Sequence, residues 1–138
     1  PLSEDYLKAE GKETVLSITE LNYRSDDPFA SPLRNLNLQV KAGEILGIAG
    51  VAGNGQDELM ALLSGEERCD KKAINLLGND IGDLNPGKRR KLGFAFVPEE
   101  RLGRGAVPDM SLQQNALLSS SHLGLINKGL IDFGKVHH

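Results

Sequence analysis

Three glycines between an apolar run and a helix-like run could form an anion-binding turn. Gly50 and Gly55 have the spacing of G-x-x-x-x-G-K-[ST], a loop whose backbone N–H groups bind phosphate at the start of a helix. Gln56 replaces the lysine of that pattern, and Asp57 replaces the hydroxyl that would bind magnesium. The residues therefore predict a loop that can hold a nucleotide but is poorly suited to hydrolysing one. This glycine loop comprises Gly50, Val51, Ala52, Gly53, Asn54, Gly55, Gln56 and Asp57.

The two replacements lower the affinity that we expect of the glycine loop. A lysine contributes about 1.5–3 kcal/mol through a charged hydrogen bond to phosphate, whereas Gln56 donates without the charge. The Asp57 carboxylate repels a phosphate about 4 Å away by about 4 kcal/mol at an effective dielectric near 20, unless magnesium bridges them. Without the metal, a loss of about 3–5 kcal/mol weakens binding by about two to four orders of magnitude. Alternatively, Asp57 simply caps the helix.

Two other interpretations of the glycines remain open. The first is that they merely allow a tight turn from strand to helix. The second is a dinucleotide-binding turn, because Gly47, Gly50 and Gly53 also lie between a strand and a helix. That fingerprint needs a closer first pair of glycines and an acidic residue at the end of the next strand, whereas Asp80 lies beyond a Gly-Asn turn. The sequence matches it poorly.

The strands that must position the loop follow from hydrophobic periodicity. Alternation predicts half-buried strands at 15–23 and 36–40, joined by a hairpin loop at 24–32. A short strand is expected at 73–77. The runs 44–49 and 93–97 do not alternate, which is typical of strands covered on both faces in a parallel sheet. Together these runs predict an α/β domain that is incomplete on its C-terminal side.

Three helices are predicted around these strands. The first spans 55–64, ends at a glycine and has an apolar face formed by Leu59, Leu62 and Leu63. The second begins at Asn85 as cap, and the basic cluster 88–91 most simply forms its charged end, with anion binding as the alternative. The third begins with Ser111 and Gln114 at capping-box spacing and continues to residue 118.

Composition narrows the class of protein. A chain of 138 residues is one domain or part of one, and a net charge of −3 gives no electrostatic case for nucleic acid. The presence of a single cysteine, Cys69, excludes a disulfide framework and a thiolate metal site. We interpret Cys69 as a surface thiol of a protein in the reducing cytoplasm. The apolar runs are too short to cross a bilayer. We therefore expect a soluble chain.

The order and spacing of the motifs resemble ABC-transporter nucleotide-binding domains. The matching stretches are 42–56, then Phe96–Arg101, then Met110–Asn115. The resemblance is greatest to the second, C-terminal ATPase domain of double-domain proteins that serve importers of simple sugars and nucleosides. It implies an α/β fold, namely the N-terminal part of a P-loop (RecA-like) ATPase core with an antiparallel β subdomain. The partial domain would span 14–138, after a linker or mobile segment at 1–13.

The resemblance also implies roles for residues of this chain. The glycine loop would be a degenerate Walker A site for ATP, with magnesium held by Asp57 and by Glu99, which stands at the position of the Q-loop glutamine. Glu99 could equally be an ordinary solvated carboxylate. The segment 101–115 resembles the region that contacts a transmembrane permease. Phe29 is our candidate for the aromatic ring that stacks on adenine, with Tyr23 as the alternative or as a core residue.

Other family motifs do not occur in these residues. We find no Leu-Ser-Gly-Gly-Gln signature, no Walker B strand ending in Asp-Glu and no switch histidine, and His122 lies too early to serve as one. We therefore expect a truncated chain of a transport ATPase that does not itself turn over. Its expected partners are the permease, the first nucleotide-binding domain of the same protein and, through exposed apolar surface, a second copy. Its expected place is the cytoplasmic face of the inner membrane. The rival hypothesis is a docking module that binds no nucleotide.

Overall fold

The structure, a computed structural model, describes residues 13–99, 105–120, 126–127 and 130–131. The chain divides into two compact units, a first unit of residues 1–92 and a second unit of residues 93–138. The predicted linker therefore lies outside the described residues except for Glu13, and so do the beginning of the 101–115 segment and His122. Among the described residues, every helix is too short or too polar to cross a membrane.

An antiparallel sheet forms the centre of the first unit. Its strands are β1 (Thr14–Tyr23), β2 (Leu33–Lys41), β3 (Ile74–Leu76) and β4 (Asn79–Asp80), in the order β2-β1-β3-β4. Each neighbouring pair is antiparallel. The predicted strands 15–23, 36–40 and 73–77 are thus confirmed to within a few residues, as is the hairpin loop between the first two.

Only β2 shows the predicted alternation, with Asn37 and Gln39 facing solvent between half-buried apolar residues. In β1, Ile18 and Leu21 are both almost fully buried although they lie three residues apart, because the strand register shifts between them, where Glu20 has a φ of 47°. The rest of the apolar core of this unit comes from α1 (Gln56–Ser64), from β3 and from the turns beside it. These core side chains include Leu59, Leu62, Leu63, Ala73, Ile74, Leu76 and Ile81.

The helices begin and end at glycines and at a capping asparagine. Helix α1 is preceded by Gly55 and followed by Gly65, whose φ of 86° is readily adopted only by glycine. Helix α2 (Pro86–Lys91) begins as predicted, because the side chain of Asn85 accepts a hydrogen bond from the Lys88 N–H at 2.9 Å. Both of these helices are therefore confirmed.

The prediction of a strand at 44–49 is wrong for this structure. Among the described residues neither sheet includes this run, which has an irregular backbone and only turn contacts between Glu44 and Lys41 at its start. Ile45 is 96% exposed and Ile48 is 53% exposed. A buried parallel strand needs a hydrogen-bonded neighbour on at least one side and cover on both faces, and the sequence pattern alone supplies neither.

The second unit contains the other misjudged strand and a correctly predicted helix. Residues 93–97 are also irregular, and Val97 is 86% exposed. Helix α3 (Leu112–Ser120) begins with the predicted capping box, in which Ser111 N–H donates to Gln114 Oε1 at 2.9 Å and Gln114 N–H donates to Ser111 Oγ at 3.2 Å. A short antiparallel pair, β5 (Ile126–Asn127) and β6 (Leu130–Ile131), follows.

Candidate functional site

The glycine loop has the backbone that the sequence pattern requires. Gly53 and Gly55 have φ angles of 85° and 98°, in the left-handed region that favours glycine. The Asn54 N–H donates to the Val51 carbonyl at 3.3 Å, which closes a tight turn, and helix α1 starts immediately afterwards with Leu59 N–H bound to the Gly55 carbonyl at 3.0 Å. The solvent-exposed backbone of the loop therefore continues directly into the N-terminus of α1.

Gly55 is required for packing as well as for its backbone conformation. A Cβ atom at this position would lie 2.7 Å from Cδ2 of Leu33, the first residue of β2. Gly55 is also buried, whereas residues 50–54 are exposed. The start of α1 therefore lies directly against the end of the hairpin loop, which fixes where the glycine loop emerges.

Gln56 folds back into the loop that precedes it. Its Nε2 donates to the Val51 carbonyl at 3.2 Å, and its Oε1 accepts the Asn54 N–H at 3.1 Å. A Cβ atom at Gly50 would collide with Nε2, so the absence of a side chain at Gly50 makes room for the amide. The reverse amide orientation would place donor against donor and acceptor against acceptor, so the hydrogen bonds fix this one.

Asp57 lies in the first turn of α1, with its side chain exposed. The alternative in which Asp57 caps α1 is wrong, because Gly55 holds the cap position and no side chain makes the cap hydrogen bond. The exposed carboxylate next to the loop fits a magnesium ligand that acts together with phosphate oxygens. No group of three or more metal-binding side chains occurs in the part of the chain that the structure describes. Asp57 would therefore need the nucleotide to complete a site.

The hairpin loop is tied to the glycine loop by Ser31, a residue that the sequence analysis missed. The Ser31 N–H donates to Glu58 Oε1 at 2.8 Å, and the Ser31 hydroxyl donates to the Gly53 carbonyl. One serine thus connects the hairpin loop to both the turn and the first turn of α1. No spacing or motif marks Ser31, because its partners are distant in sequence and one of them is a backbone carbonyl.

The hairpin loop also forms an open groove of about 960 Å³ beside β1 and β2. Tyr23 and Arg34 are among the residues that line it, and Phe29 is not. The Phe29 ring is 94% exposed. Burial raises the pKa of the Tyr23 phenol above its ordinary value; its hydrogen bond with Ser25 acts in the opposite direction, and the nearby Glu67 carboxylate raises it further. Either ring remains a predicted partner for a base, with Phe29 free of packing and Tyr23 within a groove.

The opposite end of α1 is organised by Arg89, which the sequence analysis placed at the charged end of α2. Arg89 does lie in the last turn of α2, but its side chain is 0% exposed and reaches α1, which the sequence analysis did not predict. Its guanidinium donates to the carbonyls of Leu62 and Leu63 at the end of α1, the latter at 2.9 Å, and to two further carbonyls. The additional acceptors are Leu84 at 2.9 Å and Gly82 at 3.1 Å. The basic residues of α2 show no apolar period, so the sequence gives no sign that this one is buried.

Cys69 lies close to this buried arginine and is half-buried, not a simple surface thiol. Its thiol is 3.8 Å from the Gly82 carbonyl, which Arg89 also binds. Burial raises the pKa of the Cys69 thiol, and the positive charge of Arg89 partly opposes that rise. The cysteine therefore resists ionisation, as expected of a structural thiol.

In the second unit, Asn115 closes the loop that leads into α3. Its Oδ1 accepts the Val107 N–H at 2.7 Å, and its Nδ2 donates to the carbonyls of Val107 and Met110, each at 3.0 Å. The side chain of Leu112, just after this loop, is 90% exposed. Glu99 is exposed and belongs to this unit, whereas the glycine loop belongs to the first. A shared magnesium for Asp57 and Glu99 therefore stays a prediction.

Comparison with known proteins identifies relatives that carry matching sequence. The guanosine import ATP-binding protein NupO of Bacillus subtilis is 43% identical over 121 residues, which cover 83% of this chain and 24% of that protein. The nucleoside import ATP-binding protein NupA of Lactococcus lactis is 34% identical over 130 residues, 94% of this chain and 26% of that protein. The chain therefore spans about a quarter of the length of these relatives.

A third relative has a sugar in its name. The ribose import ATP-binding protein RbsA 1 of Rubrobacter xylanophilus is 33% identical over 129 residues, 94% of this chain and 25% of that protein. The model of the ABC transporter family matches residues 33–135, which include the glycine loop, Glu99 and Asn115. Members of this family generally use ATP and magnesium. The match covers well over half of the residues, and the chain therefore belongs to the ABC transporter family.

Proposed function

We propose that this chain is a degenerate ATP-binding region of an importer for simple sugars or nucleosides. The glycine loop would bind the phosphates of ATP, weakly and without hydrolysing it. The names of the relatives support the class of transported solute, since they include guanosine, nucleoside and ribose importers. They leave open which of these solutes the intact transporter carries.

The observation that carries this proposal is the junction of the glycine loop with α1. Helix geometry leaves the first N–H groups of α1 without intrahelical acceptors, and no side chain caps them. These donors adjoin an exposed turn whose glycines allow a close backbone approach by a ligand. A helix N-terminus of this kind favours an anion through both its N–H groups and its dipole.

The side chains at the same junction explain why we expect weak binding. Gln56 brings no positive charge to the phosphates, and Asp57 brings a negative one. Magnesium would offset the repulsion, because it binds both carboxylate and phosphate oxygens. Asp57 is our primary candidate for that ligand, and Glu99 is the second. Hydrolysis should suffer more than binding, because lysine also stabilises the charge that develops in the transition state.

The second unit would transmit the bound state to a transmembrane permease. In the described part of the 101–115 segment, Asn115 gives the loop one defined shape through its hydrogen bonds. Met110 is 40% exposed and Leu112 is 90% exposed, so this loop and the start of α3 present apolar side chains that a partner could cover. The remaining partner would be the first nucleotide-binding domain of the same protein. Both would place the chain at the cytoplasmic face of the membrane.

A docking module without nucleotide is the competing function. The observation that favours it is the filled interior of the glycine loop, where the Gln56 amide already uses the Val51 carbonyl and the Asn54 N–H. In that case Met110 and Leu112 would still contact the permease, but ATP would have no effect. The two functions therefore differ in one measurable property, which is nucleotide binding by the folded chain.

Calorimetric titration with ATP, with and without magnesium, separates these functions. We would titrate the unaltered chain and the double variant Gln56→Lys/Asp57→Ser, after circular dichroism has confirmed that both are folded. We expect weak, magnesium-dependent binding by the unaltered chain and binding about two orders of magnitude tighter by the variant. If neither folded sample binds ATP, the proposed function is wrong and the docking module remains.

A further inference from the structure

A phosphate oxygen and the Gln56 side-chain oxygen would compete for the same hydrogen-bond donor, the Asn54 N–H. In an occupied phosphate loop, the backbone N–H groups of the turn donate to phosphate oxygens. In this structure the Asn54 N–H donates to Oε1 of Gln56 at 3.1 Å, with the Val51 carbonyl farther away at 3.3 Å. The side-chain oxygen of Gln56 therefore uses a donor that a phosphate oxygen would need.

We propose that Gln56 is an internal latch that holds the glycine loop closed and must swing out before phosphate binds. The proposal rests on the proposed function, because it concerns the same loop. The latch has two contacts, Oε1 with the Asn54 N–H and Nε2 with the Val51 carbonyl, so it joins two residues of the turn. Gly50 is part of the device, because any side chain there would occupy the place of the amide.

The latch differs from a second role that Gln56 could have. If Gln56 swung outward to donate to phosphate, its removal would weaken binding, since a donor to a charged group would be lost. If it acts as a latch, its removal leaves the Asn54 N–H with only the longer contact to the Val51 carbonyl and strengthens binding. Breaking two neutral hydrogen bonds should reduce affinity about tenfold, so the variant without them should bind about tenfold tighter. The sign of the change therefore discriminates between the two roles.

The first test compares Gln56→Ala with the unaltered chain by calorimetric titration with MgATP. Gln39→Ala is the matched control, because Gln39 is a solvent-exposed glutamine of β2 outside the glycine loop. We expect the dissociation constant to fall about tenfold for Gln56→Ala and to stay unchanged for Gln39→Ala. Gln56→Met, which keeps much of the side-chain length without hydrogen bonds, should behave like Gln56→Ala and shows that the effect is not lost packing.

The second test needs no ligand and opens the latch without changing Gln56. Gly50 lies outside the left-handed backbone region, so alanine is tolerated by its backbone, but the added methyl must displace the Gln56 amide. Hydrogen exchange of the Asn54 amide, followed by NMR, should be several-fold faster in Gly50→Ala and in Gln56→Ala than in the unaltered chain or in Gln39→Ala. Unchanged exchange in both variants would show that the latch does not protect Asn54.

The outcomes separate the latch from the proposed function. Tighter MgATP binding by Gln56→Ala, with faster Asn54 exchange, supports both. Equal or weaker binding by Gln56→Ala overturns the latch and leaves nucleotide binding in place. Failure of the unaltered chain and of every folded variant to bind MgATP overturns both, because a latch then has no ligand to exclude.

Discussion

Both ends of helix α1 have backbone groups without intrahelical partners, and the two ends differ in whether the protein itself pairs them. At the C-terminal end, three of the last carbonyls are used internally: the Ala61 carbonyl accepts the Gly65 N–H at 3.1 Å, and those of Leu62 and Leu63 accept from Arg89. At the N-terminal end, Gly55 offers no side-chain cap, and the loop before it is exposed. The C-terminal end is buried and paired through these three carbonyls (the paired end), whereas the N-terminal end is open to solvent (the open end).

In the proposed function, one helix serves stability at one end and binding at the other. A cation of the protein's own permanently neutralises the negative end of the helix dipole, and buried backbone groups there would be costly to leave unpaired. The positive end has no side-chain cap, and in the proposed function it would bind an anion from outside; in the adjoining loop, the uncharged amide of Gln56 uses the Asn54 N–H. Substitutions at either end of α1 test this difference.

Replacing Arg89 should damage the paired end most. Arg89→Met leaves several buried carbonyls without donors, and we expect the free energy of unfolding to fall by about 3–5 kcal/mol. Arg90→Met is the control, because Arg90 is exposed on the same helix and its replacement should change stability by less than about 0.5 kcal/mol. Chemical denaturation measures both. Equal effects at the two positions would show that Arg89 is not the cap of α1.

Glycine replacements test the open end. Gly55→Ala should destabilise the chain by about 2–4 kcal/mol, because it combines a left-handed backbone with a collision against Leu33. Gly53→Ala has a similar backbone but open space around the added methyl, so only about 1–2 kcal/mol is expected. Denaturant midpoints for the pair therefore separate backbone strain from packing. Equal losses of stability in the two variants would contradict the inference that the contact with Leu33 fixes the position of the loop.

The tether between the hairpin loop and the open end should have a smaller effect. Ser31→Ala removes the hydroxyl that donates to the Gly53 carbonyl but keeps the N–H that donates to Glu58. We expect a loss of about 0.5–1.5 kcal/mol and faster hydrogen exchange in the glycine loop. Ser31→Thr restores the hydroxyl and should recover most of that protection. If Ser31→Ala leaves exchange of the loop amides unchanged, the tether does not order the loop.

Alkaline pH should weaken the paired end slightly. Burial raises the pKa of the Cys69 thiol above its unfolded value, so between these two pKa values the folded state binds more protons than the unfolded state. The stability contributed by the neutral thiol is complete below the unfolded pKa and is lost as the pH rises through the folded one. Cys69→Ala should therefore show a shallower loss of stability from about pH 8 upward, in denaturation curves compared with the unaltered chain. Parallel curves would contradict the burial of the thiol.

The sequence predicted local structure well where its cause is local. The alternation of β2, the glycines around α1, the Asn85 cap and the Ser111–Gln114 capping box each arise from neighbouring residues, and each is confirmed. The glycine loop was recognisable for the same reason. Its pattern is short, and glycine is needed at particular positions.

Features that depend on distant partners were not predictable in this way. The run 44–49 has the composition of a buried strand, but a strand exists only when another strand pairs with it. The burial of Arg89 depends on carbonyls of α1 that lie 26 and 27 residues away in sequence. The same holds for Ser31, whose contact with Gly53 spans 22 residues. The Gln56 latch is local, but its two hydrogen bonds have no sequence signature.

The most direct test of this account is an NMR titration of the unaltered chain with MgATP, which follows the backbone amides at both ends of α1. We predict that the amide signals of Asn54 and of the first turn of α1 shift together with a single midpoint, while those of Leu62 and Leu63 stay in place. Shifts confined to other regions, or no shift at concentrations well above 1 mM, would contradict the claim that the open end of α1 binds phosphate.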